Sequence, residues 1–300
     1  MKTFSVGPSG DSPRRQGDSP LWRRGLSPWR RERFADVPCP ACGSSRRRPR
    51  FRGKGCRFVT CRDCALVYQN PQPLFDDLKG RYGQAYFRYE LANEANFHHL
   101  MELGLADVDF AGRTAAFPPD RRFLDVGCAT GRLLEAMRER GWQVRGVDLC
   151  PESAAYGRSR GVEVFTGTLE QARFPDSSFQ AVHFSHLIEH VPSPRALLAE
   201  VRRLLRPEGL AVVTTPNVDG LQARLFRRLW RSAIADHLTL FSVGTLRSLL
   251  EDCGFQVLAV QTWGGLARGT APAWLKGPVD RWAKRRGHGD VVLMLARPCA

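Results

Sequence analysis

From Arg122 onward, short apolar runs alternate with amphipathic segments at a spacing that few folds can satisfy. Residues 123–126 are a strand-length apolar run. Residues 132–140 place Leu133, Leu134 and Met137 on one helical face, and Gly141 closes that helix. The pattern continues with a strand at 144–147, a helix at 152–160, and strands at 162–165 and 181–184. A helix follows at 194–205, entered by Ser193 as N-cap with Pro194 at its first position. A strand at 210–215, a helix at 245–253 stopped by Gly254, and strands at 256–262 and 291–296 complete it. Such alternation builds βαβ units, so the expected class is α/β, a mostly parallel sheet with helices on both faces.

Ahead of this domain lies Cys39-Pro-Ala-Cys42 and Cys61-Arg-Asp-Cys64, a C-x2-C-x18-C-x2-C pattern. Each C-x-x-C turn aims two sulfurs at one point, and two such turns close a tetrahedral zinc site with no open position. The competing readings are a redox pair, which usually comes singly, or unrelated thiols. Cys56 has no partner at knuckle spacing. Residues 38–72 therefore read as a small zinc ribbon with structural Zn2+ on Cys39, Cys42, Cys61 and Cys64. Residues 1–37, rich in Ser, Pro, Gly and Arg, read as a disordered basic tail. Residues 73–117 read as a linker and helical cover, with Tyr82, Tyr86, Phe87 and Tyr89 before a helical stretch at 92–108. Residues 118–300 form the main domain.

The formal charge of +15 suggests polyanionic partners, but its distribution weakens that reading. Residues 1–70 hold 16 basic and 5 acidic side chains, leaving only +4 for the rest. The opening residues contain no apolar segment and no apolar run reaches membrane-spanning length, so a cytoplasmic protein with reduced thiols is expected.

Asp125-Val-Gly127-Cys-Ala-Thr-Gly131 follows the first strand and opens a helix, where glycines let backbone approach a ligand. Asp148 ends the next strand, where an acid can accept from both ribose hydroxyls of a nucleoside. The dinucleotide fingerprint G-x-G-x-x-G is absent, because Arg132 stands where its last glycine would be. With GTLE (167–170), FPDSSF (174–179), SHLIEHV (185–191), LRPEGLAVVTTPN (205–217) and HLTLFS (237–242), residues 120–262 resemble a class I S-adenosylmethionine-dependent methyltransferase. With the cysteine module, the chain resembles the bacterial subgroup that carries an N-terminal zinc ribbon and is similar to ubiquinone-type O-methyltransferases and sugar C-methyltransferases. The resemblance implies a Rossmann-like seven-stranded sheet whose last strand is antiparallel, with S-adenosyl-L-methionine across the strand ends. It also implies that Asp125, Gly127, Cys128 and Gly131 shape the methionine end and that Asp148 takes the ribose. Leu149 would pack on adenine, Thr168 and Leu169 would flank its edge, and Ser185 would face the sulfonium. Ala129, Thr168 and Gln180 depart from the family pattern.

His186-Leu-Ile-Glu189-His190 has the form H-x-x-E-H, an inverted zinc-protease motif, but Pro192 and Pro194 prevent the long helix that motif needs. Three readings stay open: Glu189 and His190 tie the loop together; His190 as first choice, or His186 as second, is a general base; or Glu189 and His190 ligate a divalent metal. His237 is an outside candidate base, on a segment after a basic amphipathic stretch at 221–230. That stretch reads as a lid helix over the substrate, with an anionic membrane surface, a diphosphate or plain solvent as alternatives. The insertion at 263–290, with Trp263, Trp274 and Trp282, has no assigned role. The expected activity is methyl transfer to a small-molecule acceptor (a sugar, a quinone-like ring or another metabolite, at oxygen or carbon). The alternatives are an RNA methyltransferase gripping nucleic acid through ribbon and tail, and a non-enzymatic adaptor with a decayed domain. The near-neutral main domain argues against the first and the intact Asp125, Gly127, Gly131 and Asp148 set against the second.

Overall fold

A computed structural model describes residues 32–53, 55–265 and 272–299. The cysteine-rich segment contributes β1 (Phe34–Ala35), β2 (Arg47–Arg52), β3 (Arg57–Cys61), β4 (Val67–Gln69) and β5 (Gln72–Pro73). Strand β1 pairs antiparallel with β5, and β2, β3 and β4 form an antiparallel meander. Three helices follow: α1 (Phe75–Lys79), α2 (Gln84–Asp107) and α3 (Phe110–Arg113).

The alternating region gives β6 (Arg122–Val126), α4 (Arg132–Glu139), β7 (Gln143–Asp148), α5 (Pro151–Ser159), β8 (Val164–Thr166), β9 (Phe179–Ser185), α6 (Pro194–Leu204) and β10 (Leu205–Pro216). Then come α7 (Leu221–Phe226), β11 (Thr239–Leu240), α8 (Val243–Asp252), β12 (Phe255–Trp263), α9 (Ala273–Arg285) and β13 (Val291–Pro298). The main sheet has seven strands in the order β12-β13-β10-β9-β6-β7-β8. Strands β8, β7, β6, β9 and β10 run parallel, and β13 is antiparallel to both neighbours. This is the architecture that the alternation and the resemblance predict.

Successive residues of the central strands feed two cores, as a sheet covered on both faces requires. Leu124, Val182 and Val213 pack with Leu197, Leu198 and Val201 of α6 and with Leu246 and Leu250 of α8. Phe123, Ala181 and Val212 pack on the opposite side with Leu134 and Met137 of α4 and with Trp142. Helix α6 is capped by Ser193, whose hydroxyl accepts from the Ala196 N–H at 3.2 Å. A capping box between Ser242 and Thr245 opens α8. Caps of this kind stabilise by about 1 kcal/mol each.

The cysteine module shares the first of these cores. Cys39, Cys61, Leu66 and Tyr68 belong to it, and its sheet is completed by β11 from far downstream, in the order β11-β4-β3-β2.

Several expectations are corrected. Helix α2 begins at Gln84 rather than near residue 92, because nothing between Gly83 and Ala92 breaks it, so Tyr86, Phe87 and Tyr89 are helical. The stretch at 221–230 is not one lid helix. Arg227 takes a left-handed conformation (φ +47°), α7 stops at Phe226 and a single 3-10 turn follows. Its apolar side chains do not all face inward: Leu225 is 59% and Leu229 70% exposed. The unstructured reading of 1–37 lies outside the described residues up to position 31, and beyond that Phe34–Ala35 is a paired strand. The insertion at 263–290 contains α9, while residues 266–271 lie outside the described residues. Among the described residues no helix is long and apolar enough to cross a membrane.

Candidate functional site

The carboxyl ends of β6, β7 and β9 meet at one edge, where open α/β sheets bind ligands. After β6, Gly127 (φ +73°), Ala129 (φ +46°) and Gly131 (φ +77°) turn the chain into α4. The loop is fixed to β7 because the Gly127 and Cys128 N–H groups donate to the Val147 carbonyl at 2.8 and 3.2 Å. Ala129 occupies the left-handed region that glycine fills at no steric cost. A Cβ on Gly127 would lie 3.4 Å from Leu187, so the glycine loop abuts the loop after β9.

Asp148 binds this edge together. Its Oδ2 accepts from the Ala129 N–H and its Oδ1 from the Cys150 N–H, both at 2.8 Å. Burial pushes its carboxyl up to about 6 against those two bonds, and the neighbouring charge of Asp125 adds to the rise. Asp125 lies under the loop, buried, with Oδ1 2.7 Å from His183 Nδ1. Leu149 is half-buried, Leu169 buried and Ser185 half-buried at the end of β9. Thr168 is tied locally: its N–H donates to Gln171 Oε1 at 2.9 Å and its hydroxyl accepts from the Gln171 N–H at 3.3 Å. Burial holds the Cys128 thiol well above its ordinary range.

Residues 186–192 form turns rather than a helix, as the two prolines require. His186 is left-handed (φ +52°) with its side chain 46% exposed. Its Nδ1 lies 3.1 Å from Oε1 of fully buried Glu189, whose Oε2 accepts from the Thr215 hydroxyl at 2.9 Å. Burial pushes the Glu189 carboxyl up. The hydrogen bond from His186 and the imidazoles of His186, His190 and His237 outweigh it and leave the carboxyl at about 2, ionised. His186 and Glu189 thus form a histidine–carboxylate pair whose imidazole stays half-exposed.

His190 donates from Nδ1 to the Asp236 carbonyl, and His237 from Nδ1 to the Ser232 carbonyl, both at 2.9 Å. Their rings meet edge-on with centroids 4.7 Å apart. Burial, then His190, pushes His237 down to about 3, so it is neutral at physiological pH. Donation from Nδ1 leaves each Nε2 with a lone pair, and ligand atoms of Glu189, His190 and His237 lie within 4.8 Å of one another. Such a set suits a divalent cation, with backbone carbonyls orienting both rings.

Three residues of the cover were not read as site residues. Tyr82 and Tyr86 meet edge-on at 5.1 Å, and Tyr86 donates a hydrogen bond to Glu90, one turn further on α2. Burial, reinforced by Asp148, pushes Glu90 up to about 7 against that bond and the pull of His186. Glu90 is therefore coupled electrostatically both to Asp148 and to His186 in the loop after β9. The i, i+4 spacing from Tyr86 was its only signal. Helix α2 is held there by Phe87 on Tyr156 (5.6 Å) and by the Glu94–Arg160 ion pair. A hollow of about 770 Å³ lined by Pro207, Glu251 and Cys299 lies at the opposite end of the parallel strands and contains none of these groups.

At the cysteine module, Cys39 Sγ is 3.4 Å from Cys64 Sγ and Cys42 Sγ is 3.5 Å from Cys61 Sγ. All four sulfurs lie within 4.8 Å of one another. A tetrahedron of thiolates at zinc–sulfur distances has edges of about 3.8 Å, so the cluster fits Zn2+. The Asp63 N–H points at Cys61 Sγ at 3.4 Å, as expected around a metal-bound thiolate.

Comparison with known proteins agrees with this geometry. A family described as a methyltransferase domain matches residues 97–260. A ubiquinone biosynthesis O-methyltransferase of Hahella chejuensis is 36% identical over 140 residues, 44% of this chain and 55% of that protein. The enzyme of the same name from Xanthomonas oryzae pv. oryzae is 37% identical over 103 residues, 32% of this chain and 43% of that protein. The chain thus spans about half the length of these curated relatives. Among solved structures, an S-adenosylmethionine-dependent methyltransferase of Thermotoga maritima, a possible histamine N-methyltransferase, superposes with a TM-score of 0.51 at 21% identity, covering 72% of this chain and all of that one. Another from Archaeoglobus fulgidus gives 0.51 at 19% identity, covering 70% of this chain and 99% of that one. With the family matched over more than half its length and the sheet order of the class I fold, the chain belongs to the methyltransferase domain family.

Proposed function

We propose that this chain transfers a methyl group from S-adenosylmethionine to oxygen or carbon of a small-molecule acceptor. The observation that carries the reading is Asp148, a buried acid ending β7 whose carboxylate brackets the glycine loop. It would hold the ribose, with Asp125, Gly127, Cys128 and Gly131 around the methionine end. Leu149, Thr168 and Leu169 would sit by the adenine, and Ser185 toward the sulfonium. The donor supplies a methyl carbon on a sulfonium, already a good leaving group, so the protein's work is positioning and proton transfer.

His186 is the favoured proton acceptor. Its Nδ1 is anchored on ionised Glu189 and its ring is half-exposed, the arrangement of a base held by a carboxylate. His190, the first choice from sequence order, ranks second because it is partly buried against Asp236 and His237. His237, pushed down to about 3, is a weak proton acceptor. The names of the curated relatives favour an acceptor hydroxyl on a small ring. A second reading is favoured by the Glu189, His190 and His237 cluster: a divalent cation there would lower the pKa of such a hydroxyl. We also infer structural zinc on the four cysteines and a reducing, cytoplasmic setting, supported by nine unpaired thiols. The nucleic-acid alternative gains no support from the relatives.

Calorimetry with S-adenosylhomocysteine tests the reading. Asp148→Ala removes two hydrogen bonds to a charged acceptor and should weaken binding by about 3 kcal/mol, roughly a hundredfold. A variant that folds by circular dichroism and binds within about threefold of wild type rejects the assignment. Conversion of the donor to S-adenosylhomocysteine in the presence of catechols or deoxysugar nucleotides then identifies the acceptor class.

A further inference from the structure

Residues 233–240, which carry His237, are held almost residue by residue by a single stretch of chain, the cysteine module and the segment just after it. Gly53 packs so closely on the Ala233 carbonyl that a Cβ there would lie 2.6 Å from the oxygen. The Arg81 guanidinium donates to the Ala235 carbonyl at 3.0 Å and to Asp236 Oδ1 at 2.6 Å. The Gln69 N–H and the Gln72 side-chain amide both donate to the Leu238 carbonyl, at 2.8 and 3.4 Å. Thr239 and Leu240 then pair with Tyr68 and Val67 as the last strand of the module's own sheet. From the other side, the Leu238 and Thr239 N–H groups donate to the Glu189 carbonyl at 2.8 and 3.1 Å. A continuous hydrogen-bonded path therefore runs from the module through Leu238 to the backbone of Glu189, between His186 and His190.

We propose that the four-cysteine module is a working part of the acceptor side of the site: it clamps both ends of the 233–240 segment and so positions His237 and the Glu189–His190 backbone. The term acceptor side rests on the methyltransferase reading, whereas the clamp rests on contacts alone. Gly53, Gln69 and Gln72 become positioning residues. The module's metal, where bound, would support the clamp through β3 and β4, which carry Cys61 at one end and Gln69 at the other. This differs from an appended ribbon that grips a partner, whose loss leaves the neighbouring domain unchanged.

Gly53→Ala is the most direct test, because it meets Cys56 but none of the four clustered cysteines, no site histidine and not Asp148, and Gly53 is not left-handed. In the full chain it should retain one zinc and wild-type affinity for S-adenosylhomocysteine. Amide exchange in residues 232–241 should quicken by about tenfold or more, while the β10 peptide stays protected. The His237 imidazole nitrogen resonances, assigned with His237→Gln, should shift. Gly244→Ala, whose Cβ meets nothing nearer than 3.8 Å, should change none of these. Zinc withdrawal from wild type by a chelator should reproduce the exchange pattern, and it decides the matter where Gly53→Ala does not fold. Unchanged exchange at 232–241 and an unmoved His237 signal in both arms overturn the clamp. Loss of protection across the whole main sheet also overturns it, since the module would then be a general folding element. Failure of wild type to bind S-adenosylhomocysteine would sink the methyltransferase reading and leave the exchange result standing.

Discussion

Asp148 offers a measurement that separates the cost of its burial from its use. Its carboxyl stands at about 6 in the folded chain against an ordinary 3.8, with burial the main cause. That displacement corresponds to about 3 kcal/mol by which ionisation disfavours the cofactor-free folded state. A carboxylate raised in the fold keeps its proton where the unfolded chain has lost it. Stability therefore falls as pH rises from about 4 to about 6 and is level above. Asp148→Asn mimics the protonated acid and lacks this term. Each denatured by urea without ligand, wild type should stand highest relative to the variant near pH 4.5. By pH 7.5 the balance should have moved by about 2 kcal/mol in favour of the variant. Taking the change between two pH values cancels whatever constant cost arises at the Ala129 and Cys150 N–H groups. Cofactor affinity should move the opposite way. Wild type should bind S-adenosylhomocysteine more tightly as pH rises through 6, because ribose hydroxyls prefer an ionised acceptor, and Asp148→Asn should show no such rise. A stability difference that stays constant with pH refutes the burial argument, and a shared pH dependence of affinity refutes the ribose assignment.

Purified protein should contain one zinc per chain, and Cys61→Ala should lose it; an unchanged zinc content would mean the four sulfurs hold no metal. His186→Ala should reduce methyl transfer by about 10²–10⁴-fold with cofactor affinity kept, and His190→Ala should cost less; the reverse order would return the proton-handling role to His190. Glu90→Gln should weaken binding of the cationic sulfonium donor more than that of the neutral thioether product, and equal losses would place Glu90 away from the sulfur.

What could be read from the sequence was what depends on near neighbours. The seven strands follow from apolar runs such as 123–126 and 181–184, and the capped start of α6 from Ser193-Pro194. The four-cysteine cluster follows from two local turns, and the glycine loop and Asp148 from their places at strand ends. What could not be read depended on distant pairing. Nothing in Val67–Gln69 announces that it bonds to residues about 170 positions downstream, so the module looked separable when it shares a core and a sheet with the main domain. The same limit hid Glu90, whose meaning comes from Asp148 and His186 rather than from α2 itself. The proposed preference for His186 over His190 rests on which ring reaches Glu189, a matter of one left-handed residue in a short loop. At 221–230 the periodicity was real, but Arg227 leaves the helical region and spoils it.

The charges at the candidate site bear on how a chain with a formal +15 would bind a cationic donor at an acidic edge. Most of the acids there are already matched. Asp125 is engaged by His183, Asp236 by Arg81 and Glu189 by His186. Asp148 and Glu90 are not matched in this way. Both are pushed up by burial, and Asp148 raises Glu90 further. On the proposed reading, a sulfonium bound near both would supply the positive charge that each lacks, so the energy of holding two carboxyls out of water would turn into affinity for a cation. Once the methyl group has left, the sulfur is neutral and that part of the affinity would be gone, while the proposed ribose contacts of Asp148 would remain. The same two acids would therefore favour donor over product without any movement of the sheet.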